Sequence, residues 1–312
     1  MKALLFPGQG SQAVGMGQEI YKKFEIVKKL FLEADDKLDF KISKIILEGP
    51  DSDLRLTKNT QPAILIVSYS IFEVLKKEFN YKIDNIKYFA GHSLGEYSAL
   101  VCAGALEFSD AVFLLHERGL AMQEAVPVGE GGMLAILGLD IAQINNYIKE
   151  IRTKKICEIA NDNADGQIIV SGNIESIDEL QNILKKNKKK SIKLPVSAPF
   201  HCSLMNEAAE KMEKKINLIN FIKPKIEIIS NVTAKPETNQ EKIKKLLVEQ
   251  IYSKVRWRES IQYMANNGVN EFIEIGPGKV LSGMLKRIVK NVESKSINSE
   301  EDIKSISNEP KK

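Results

Sequence analysis

A serine held in Gly91-His92-Ser93-Leu94-Gly95 constrains this chain more than any other feature. The apolar run Ile86-Lys87-Tyr88-Phe89-Ala90 before it suits a buried strand, and Glu96-Tyr97-Ser98-Ala99-Leu100-Val101-Cys102-Ala103 after it suits a helix. A G-x-S-x-G pentapeptide between strand and helix makes a sharp turn, a nucleophile elbow. Its glycines relieve crowding, and the serine hydroxyl stands out at the start of the helix. There the backbone N–H of Leu94 and the positive end of the helix dipole can stabilise an oxyanion.

A chain of 312 residues has room for one large domain with an insertion, or for two domains. Its 45 basic and 41 acidic residues leave a net charge of +4, too mild to argue for nucleic acid. Cys102, Cys157 and Cys202 form no C-x-x-C pair. That argues against a disulfide framework or a structural zinc site and fits a reducing cytosol. The apolar start, Met1 to Phe6, is too short for a signal peptide. No apolar run approaches the ~20 residues of a membrane span. These features lead to the expectation of a soluble, cytoplasmic protein with no membrane or nucleic-acid partner.

Residues 2–6 read as a strand ending in the loop Gly8-Gln9-Gly10-Ser11-Gln12. That loop lacks the lysine of a Walker sequence and the third glycine of a dinucleotide fingerprint, so a tight strand-to-helix turn is the better reading. A buried helix is expected from Pro62 to Phe79, and another, capped by Ser109-Asp110, to about Glu124. Between 128 and 197 the pattern predicts strand 133–137, helix 141–151, strands 157–160 and 167–170, helix 176–187 and strand 191–196. The turn-rich Asn161-Asp162-Asn163-Ala164-Asp165-Gly166 separates the middle strands, and Pro127 to Gly132 makes a hinge into the segment. This βαββαβ order is the split βαβ, ferredoxin-like plan, and a small domain inserted beside the serine would build a cleft. After it come helix 203–219, strand 226–230, helix 241–251 and strand 271–275. The expected division is a large α/β domain of 1–127 and 198–293, the insertion 128–197, and a disordered polar tail of 294–312.

A serine hydroxyl needs a base within hydrogen-bond reach, and the chain has three histidines. His92 adjoins the serine, where neighbouring side chains diverge, so it shapes the turn. His116 lies mid-helix, where a packed or exposed histidine is the default. His201, in the loop Ser197-Ala198-Pro199-Phe200-His201-Cys202 just past the insertion, is assigned as the base by elimination. Cys202 diverges from it and reads as a small buried thiol. No aspartate between Ser93 and His201 carries a local signature, which leaves open a dyad oriented by a backbone carbonyl. Arg118 could clamp a substrate carboxylate bidentately, although spacing alone favours a solvated helix arginine. The run Lys185-Lys186-Asn187-Lys188-Lys189-Lys190 reads first as a solvated helix end, with docking of an acidic partner as the alternative.

Taken in order, several motifs resemble the malonyl-CoA:acyl carrier protein transacylases. They are Phe6-Pro7-Gly8-Gln9-Gly10-Ser11-Gln12, Gly91-His92-Ser93-Leu94-Gly95-Glu96-Tyr97, Arg118-Gly119 with Met122-Gln123, and Pro199-Phe200-His201. Glu249-Gln250-Ile251-Tyr252 before Val255-Arg256-Trp257, and Ile275-Gly276-Pro277-Gly278, extend the likeness over roughly residues 2–290. The resemblance implies a large α/β-hydrolase-like domain with a ferredoxin-like insertion. It also implies ping-pong transfer of a malonyl group from malonyl-CoA to the phosphopantetheine thiol of an acidic acyl carrier protein, supplying fatty-acid synthesis, with no metal and no cofactor. It makes Ser93 the nucleophile, His201 the base, the backbone N–H groups of Gln9 and Leu94 the oxyanion hole, and Arg118 the partner of the malonyl carboxylate. The Gln250 carbonyl would orient His201, and Phe200 would select malonyl over α-branched units. A polyketide acyltransferase would use the same machinery. A hydrolase would pass the acyl group to water, and a non-catalytic carrier-binding protein would form no serine ester.

Overall fold

The computed structural model describes residues 1–307, apart from Asp84 and Ser197, and its fold is mixed α/β. Among the described residues ten strands occur: β1 (Lys2–Phe6), β2 (Ile86–Gly91), β3 (Gly131–Leu137), β4 (Cys157–Ala164), β5 (Gln167–Asn173), β6 (Lys190–Lys193), β7 (Glu227–Ile229), β8 (Pro236–Glu237), β9 (Glu271–Ile275) and β10 (Glu293–Ile297). They form two sheets, ordered β10-β9-β1-β2-β7-β8 and β4-β5-β3-β6. The first is parallel except for the short β8, and every pairing in the second is antiparallel.

Parallel strands are covered on both faces and read as continuous apolar runs. β1 shows the consequence. Leu4 and Phe6 enter one core with Phe89, while Ala3 and Leu5 enter a second with Tyr88 and Phe272 on the other face. In the smaller sheet Leu134, Ile136, Ile168 and Val170 form a separate core with Ile144, Ile177, Leu180 and Leu184 from two helices. The alternate residues Met133 and Ile169 turn to the main core instead. The small sheet thus lays an apolar face against the large body beside the end of β2.

Four expectations need correction. The tail is ordered through Ser307: β10 pairs in parallel with β9, and the helix Glu300–Ser307 follows, with Ile297, Ile303 and Ile306 buried. The free edge of β9 supplies backbone partners that a search for apolar periodicity does not register, and the expected tail residues 308–312 lie outside the described residues. The segment Asn161–Ala164 continues β4, with register shifts between 159 and 161 and between 162 and 164. Tertiary hydrogen bonds override its turn composition there. The helix expected from Pro62 starts at Thr57 and runs to Lys77, with the proline inside it. The helix Phe108–Glu124 has Glu107 at its N-cap and no side-chain cap bond, so Ser109-Asp110 lies in the first turn. Boundaries elsewhere move by a few residues: the strand expected at 191–196 is Lys190–Lys193, and a short 3₁₀ turn, Ser203–Met205, precedes the helix Asn206–Leu218. Ser197, at the expected end of the insertion, lies outside the described residues.

Candidate active site

β2 ends at Gly91 and the helix Gly95–Cys102 begins four residues later, leaving Ser93 on the turn with φ 52°. This left-handed conformation costs a non-glycine residue ~1–3 kcal/mol and persists only where its surroundings impose it. Here they do. A Cβ on Gly91 would lie 1.9 Å from the backbone of Gly95, and one on Gly95 would lie 2.3 Å from the Phe6 carbonyl, so only glycine fits at either position. The Ser93 N–H donates to Asn231 Oδ1 at 2.7 Å, and Asn231 Nδ2 donates to the Gly91 carbonyl at 2.7 Å. One amide side chain thereby pins both ends of the turn.

Ser93 Oγ lies 2.8 Å from His201 Nε2, and His201 Nδ1 lies 2.8 Å from the main-chain oxygen of Gln250. A carbonyl can only accept, so Nδ1 carries the proton and Nε2 is left as the acceptor facing the serine. His201 also holds a left-handed backbone, φ 59°, and is 4% exposed. Burial, reinforced by the nearby Arg118 charge, pushes its pKa down to about 3, so the imidazole is neutral at physiological pH. Among the described residues no aspartate completes a triad; the orienting contact comes from the backbone.

Arg118 is 1% exposed, contrary to the solvated arginine that spacing favoured. Its three hydrogen bonds among the described residues all go to neutral oxygens: Nη1 to Gln61 Oε1 at 2.6 Å, and Nη2 to Gln250 Oε1 at 2.8 Å and Ser93 Oγ at 3.1 Å. Its buried Nε has no partner among them. Burial lowers its pKa, while Tyr97 and Glu96 favour its charge. Glu96 is itself buried, and desolvation pushes it up to about 7 against hydrogen bonds from Asn231 N at 3.0 Å and Gln250 Nε2 at 2.8 Å. A buried guanidinium without a directly bonded carboxylate is costly. A cavity that presents one beside an activated serine suits an anionic substrate.

That cavity measures about 160 Å³ and is enough for a short acyl group. Gln9, Leu94, Arg118, Phe200 and His201 line it with Ser93, and Gln250 sits just behind, fully buried. All seven residues expected at the site therefore converge. His92 also lines the cavity but does not bond the serine: its Nε2 lies 2.8 Å from Asn163 Oδ1 and its ring packs against Trp257. Cys202 is fully buried, its Sγ donating to the Pro199 carbonyl at 3.2 Å, and burial pushes its thiol up to about 11. The lysine run is exposed, at the helix end and the start of β6.

Sequence reasoning missed Asn231, Glu96, Gln61 and Asn163. Glu96 directly follows the pentapeptide and was open to notice. The others lie in ordinary polar or turn-like stretches, with no local pattern to mark them.

The sequence matches the acyl transferase domain family over residues 3–307. It is 44% identical over 303 residues to the malonyl CoA-acyl carrier protein transacylase of Bacillus subtilis, covering 96% of this chain and 94% of that one. Its structure resembles the acyl-carrier-protein S-malonyltransferase of Bartonella henselae with a TM-score of 0.95, at 41% identity and 98% coverage of both chains. A malonyl-transacylase solved in complex with its type II PKS holo acyl-carrier protein matches with a TM-score of 0.93 at 39% identity, covering 97% of this chain and 98% of that one.

Proposed function

Because the chain belongs to the acyl transferase family, among the malonyl CoA-acyl carrier protein transacylases, we propose that it moves malonyl groups in two half-reactions through an ester on Ser93. The observation that carries this reading is the buried Arg118 guanidinium 3.1 Å from Ser93 Oγ, bonded among the described residues only to neutral oxygens. A malonyl thioester offers the missing carboxylate at one end and an electrophilic carbonyl at the other.

In the first half-reaction Ser93 Oγ attacks the thioester carbon while its proton passes to His201 Nε2. The Gln9 and Leu94 N–H groups stabilise the oxyanion, and such donors typically contribute ~10²–10³ each in rate. Collapse breaks the carbon–sulfur bond, and His201 returns its proton to the coenzyme A thiolate. In the second half-reaction the phosphopantetheine thiol of the carrier gives its proton to His201 and attacks the ester, and Ser93 leaves reprotonated. The Gln250 carbonyl keeps Nδ1 protonated and so stabilises the transient imidazolium. A carboxylate on Arg118 also offsets the charge that depresses His201, strengthening the base when the right substrate is bound. Phe200 closes the cavity against α-branched units.

These steps call on no metal or cofactor. The acidic carrier is met by the exposed lysine run, which opens the edge strand whose continuation, Leu194 and Val196, forms part of the cavity wall. The βαββαβ order with strands arranged β4-β5-β3-β6 supports the ferredoxin-like description of the smaller sheet, and the elbow on a parallel sheet supports the hydrolase-like one. Among the described residues no helix is long and apolar enough to cross a membrane, and cytoplasmic fatty-acid synthesis is the setting this reading favours.

Intact-protein mass spectrometry after exposure to malonyl-CoA tests the reading. The wild type should gain one malonyl group. Ser93→Ala should gain none and lose turnover by up to ~10⁶, the scale on which subtilisin suffers when its serine nucleophile is removed. An adduct that persists in Ser93→Ala, or one that never forms in the wild type, rules out the ester.

A further inference from the structure

We infer that His116 is a positioning residue for the Arg118 clamp, tying the helix Phe108–Glu124 to a carbonyl of the helix Thr57–Lys77 that Pro62 leaves without its usual donor. The inference rests on the reading of Arg118 as the carboxylate clamp.

In an α-helix the carbonyl of one residue accepts from the N–H four residues on. For Lys58 that residue is Pro62, which has no N–H. The vacated carbonyl is taken up from outside the helix: His116 Nδ1 lies 3.0 Å from the Lys58 oxygen, and since the carbonyl can only accept, Nδ1 donates. The ring is half-buried against Phe40, at 5.4 Å between centroids.

The same stretch of both helices holds the clamp. Two residues beyond His116, Arg118 Nη1 reaches Gln61, the neighbour of Pro62, at 2.6 Å. One residue further, a Cβ on Gly119 would fall 2.5 Å from Lys58 Cα and 2.6 Å from the Thr57 oxygen, so the helices meet backbone to backbone. Glycine permits this approach, and the histidine bond resists sliding along it. The direction of the guanidinium fork depends on where that contact sits, because its hydrogen bonds tolerate displacements of only tenths of an ångström. Arg118 contacts substrate in the proposed reaction; His116 acts through it.

The test measures kcat/KM with malonyl-CoA and with acetyl-CoA as donors, and Tm, in His116→Ala, His116→Asn, Arg118→Ala and the double variant His116→Ala/Pro62→Ala. Alanine at 62 returns an N–H to the Lys58 carbonyl, so the double variant repairs the helix without restoring the tie between helices. His116→Ala should lose about tenfold with malonyl-CoA, a fraction of the ~10²-fold that a 1 Å misplacement can cost, and hold roughly steady with acetyl-CoA. His116→Asn, which keeps a donor near the Nδ1 position, should recover most of that loss. The double variant should recover Tm while its malonyl preference stays impaired, and it carries the comparison if His116→Ala does not fold. Equal loss on both donors, an unchanged preference, or a preference that returns together with Tm overturns the inference. If Arg118→Ala shifts the preference and the His116 variants do not, only the tie falls; if Arg118→Ala leaves the preference unchanged, the clamp reading falls with it.

Discussion

Beneath the elbow, the parallel sheet builds its side of the cavity from buried polar contacts: Asn231 on the turn, Gln250 bridging Glu96 to Arg118, and His201 held by a backbone oxygen. The antiparallel sheet builds the facing side from apolar side chains, Met133 and Ile169 with Leu194 and Val196 just beyond β6, together with Asn161 and Asn163 of β4, and the same stretch of β4 fastens the sheet to the large body. Three successive residues of β4 show this. At Asn161 the backbone forms a parallel bridge to Val255, Asp162 takes a bidentate bond from Arg258 at 2.9 Å, and Asn163 holds His92. The difference separates chemistry from shape. On the first side, removing a group strands another in a low-dielectric site; on the second, most of the wall is apolar volume, and the strongest polar tie, Asp162 to Arg258, is not part of the cavity lining.

The comparison is put at greatest risk by Arg118→Ala. Stranding a substrate carboxylate costs ~2–5 kcal/mol, so malonyl transfer should fall by roughly two to three decades. Acetyl transfer, with no carboxylate to strand, should hold or improve. The ratio of the two kcat/KM values decides, and a common loss on both would make the guanidinium structural.

On the other side of the cavity, Asp162→Ala should act on stability. Asp162 is fully buried and Arg258 is partly exposed, so the loss should be ~2–3 kcal/mol, below the ~3–5 of a wholly buried pair. Thermal unfolding should show it while the malonyl preference stays near that of the wild type. A collapse of that preference would erase the division between the two sheets.

A smaller effect follows from His201. Its pKa falls from 6.5 when unfolded to about 3 in the fold, so across that window the unfolded chain takes up a proton that the folded chain refuses. Stability therefore rises with pH through the window, by up to ~1.4 kcal/mol per pH unit, and this contribution levels off above about 6.5. Urea unfolding of the wild type and His201→Gln at mildly acid and neutral pH should show the steeper gain in the wild type. Parallel curves would mean that His201 accepts its proton in the folded state.

The smallest change is expected at the lysine run. Charge reversal at Lys185, Lys186 and Lys188 to Lys190 should raise the carrier KM severalfold at low salt, through exposed charges that salt screens, and leave loading of Ser93 from malonyl-CoA unchanged. Unaltered carrier kinetics would return the run to ordinary solvated surface.

Much of the parallel sheet's side was legible in the chain because its signals are local. A pentapeptide with a strand before it and a helix after it is complete within about fifteen residues, and with three histidines the one that faces the serine could be picked out by elimination. The order of elements in the insertion was legible for the same reason, since alternation of period 2 and the helical period are short-range patterns. The fastening strand was not. Asn161, Asp162 and Asn163 have the composition of a turn and become strand because groups distant in the chain hold them: the Val255 backbone pairs beside Asn161, and Arg258 and His92 take up the side chains of Asp162 and Asn163. The C-terminal strand was missed likewise: β10 owes its place to the edge of β9 and to three isoleucines too sparse to show a period.

By itself the sequence determined the turn, the residue types that can react, and through ordered motifs the family. Those depend on backbone sterics and side-chain chemistry that act over a few residues. Only the tertiary structure decided that Arg118 is a buried cation rather than a solvated one, that Gln250 serves with both its backbone and its side chain, and that Asn231 braces the elbow. Each of these depends on which distant groups share a space from which water is excluded. Burial sets the strength of a charge or a hydrogen bond, and burial is a property of the packed chain rather than of any segment of it.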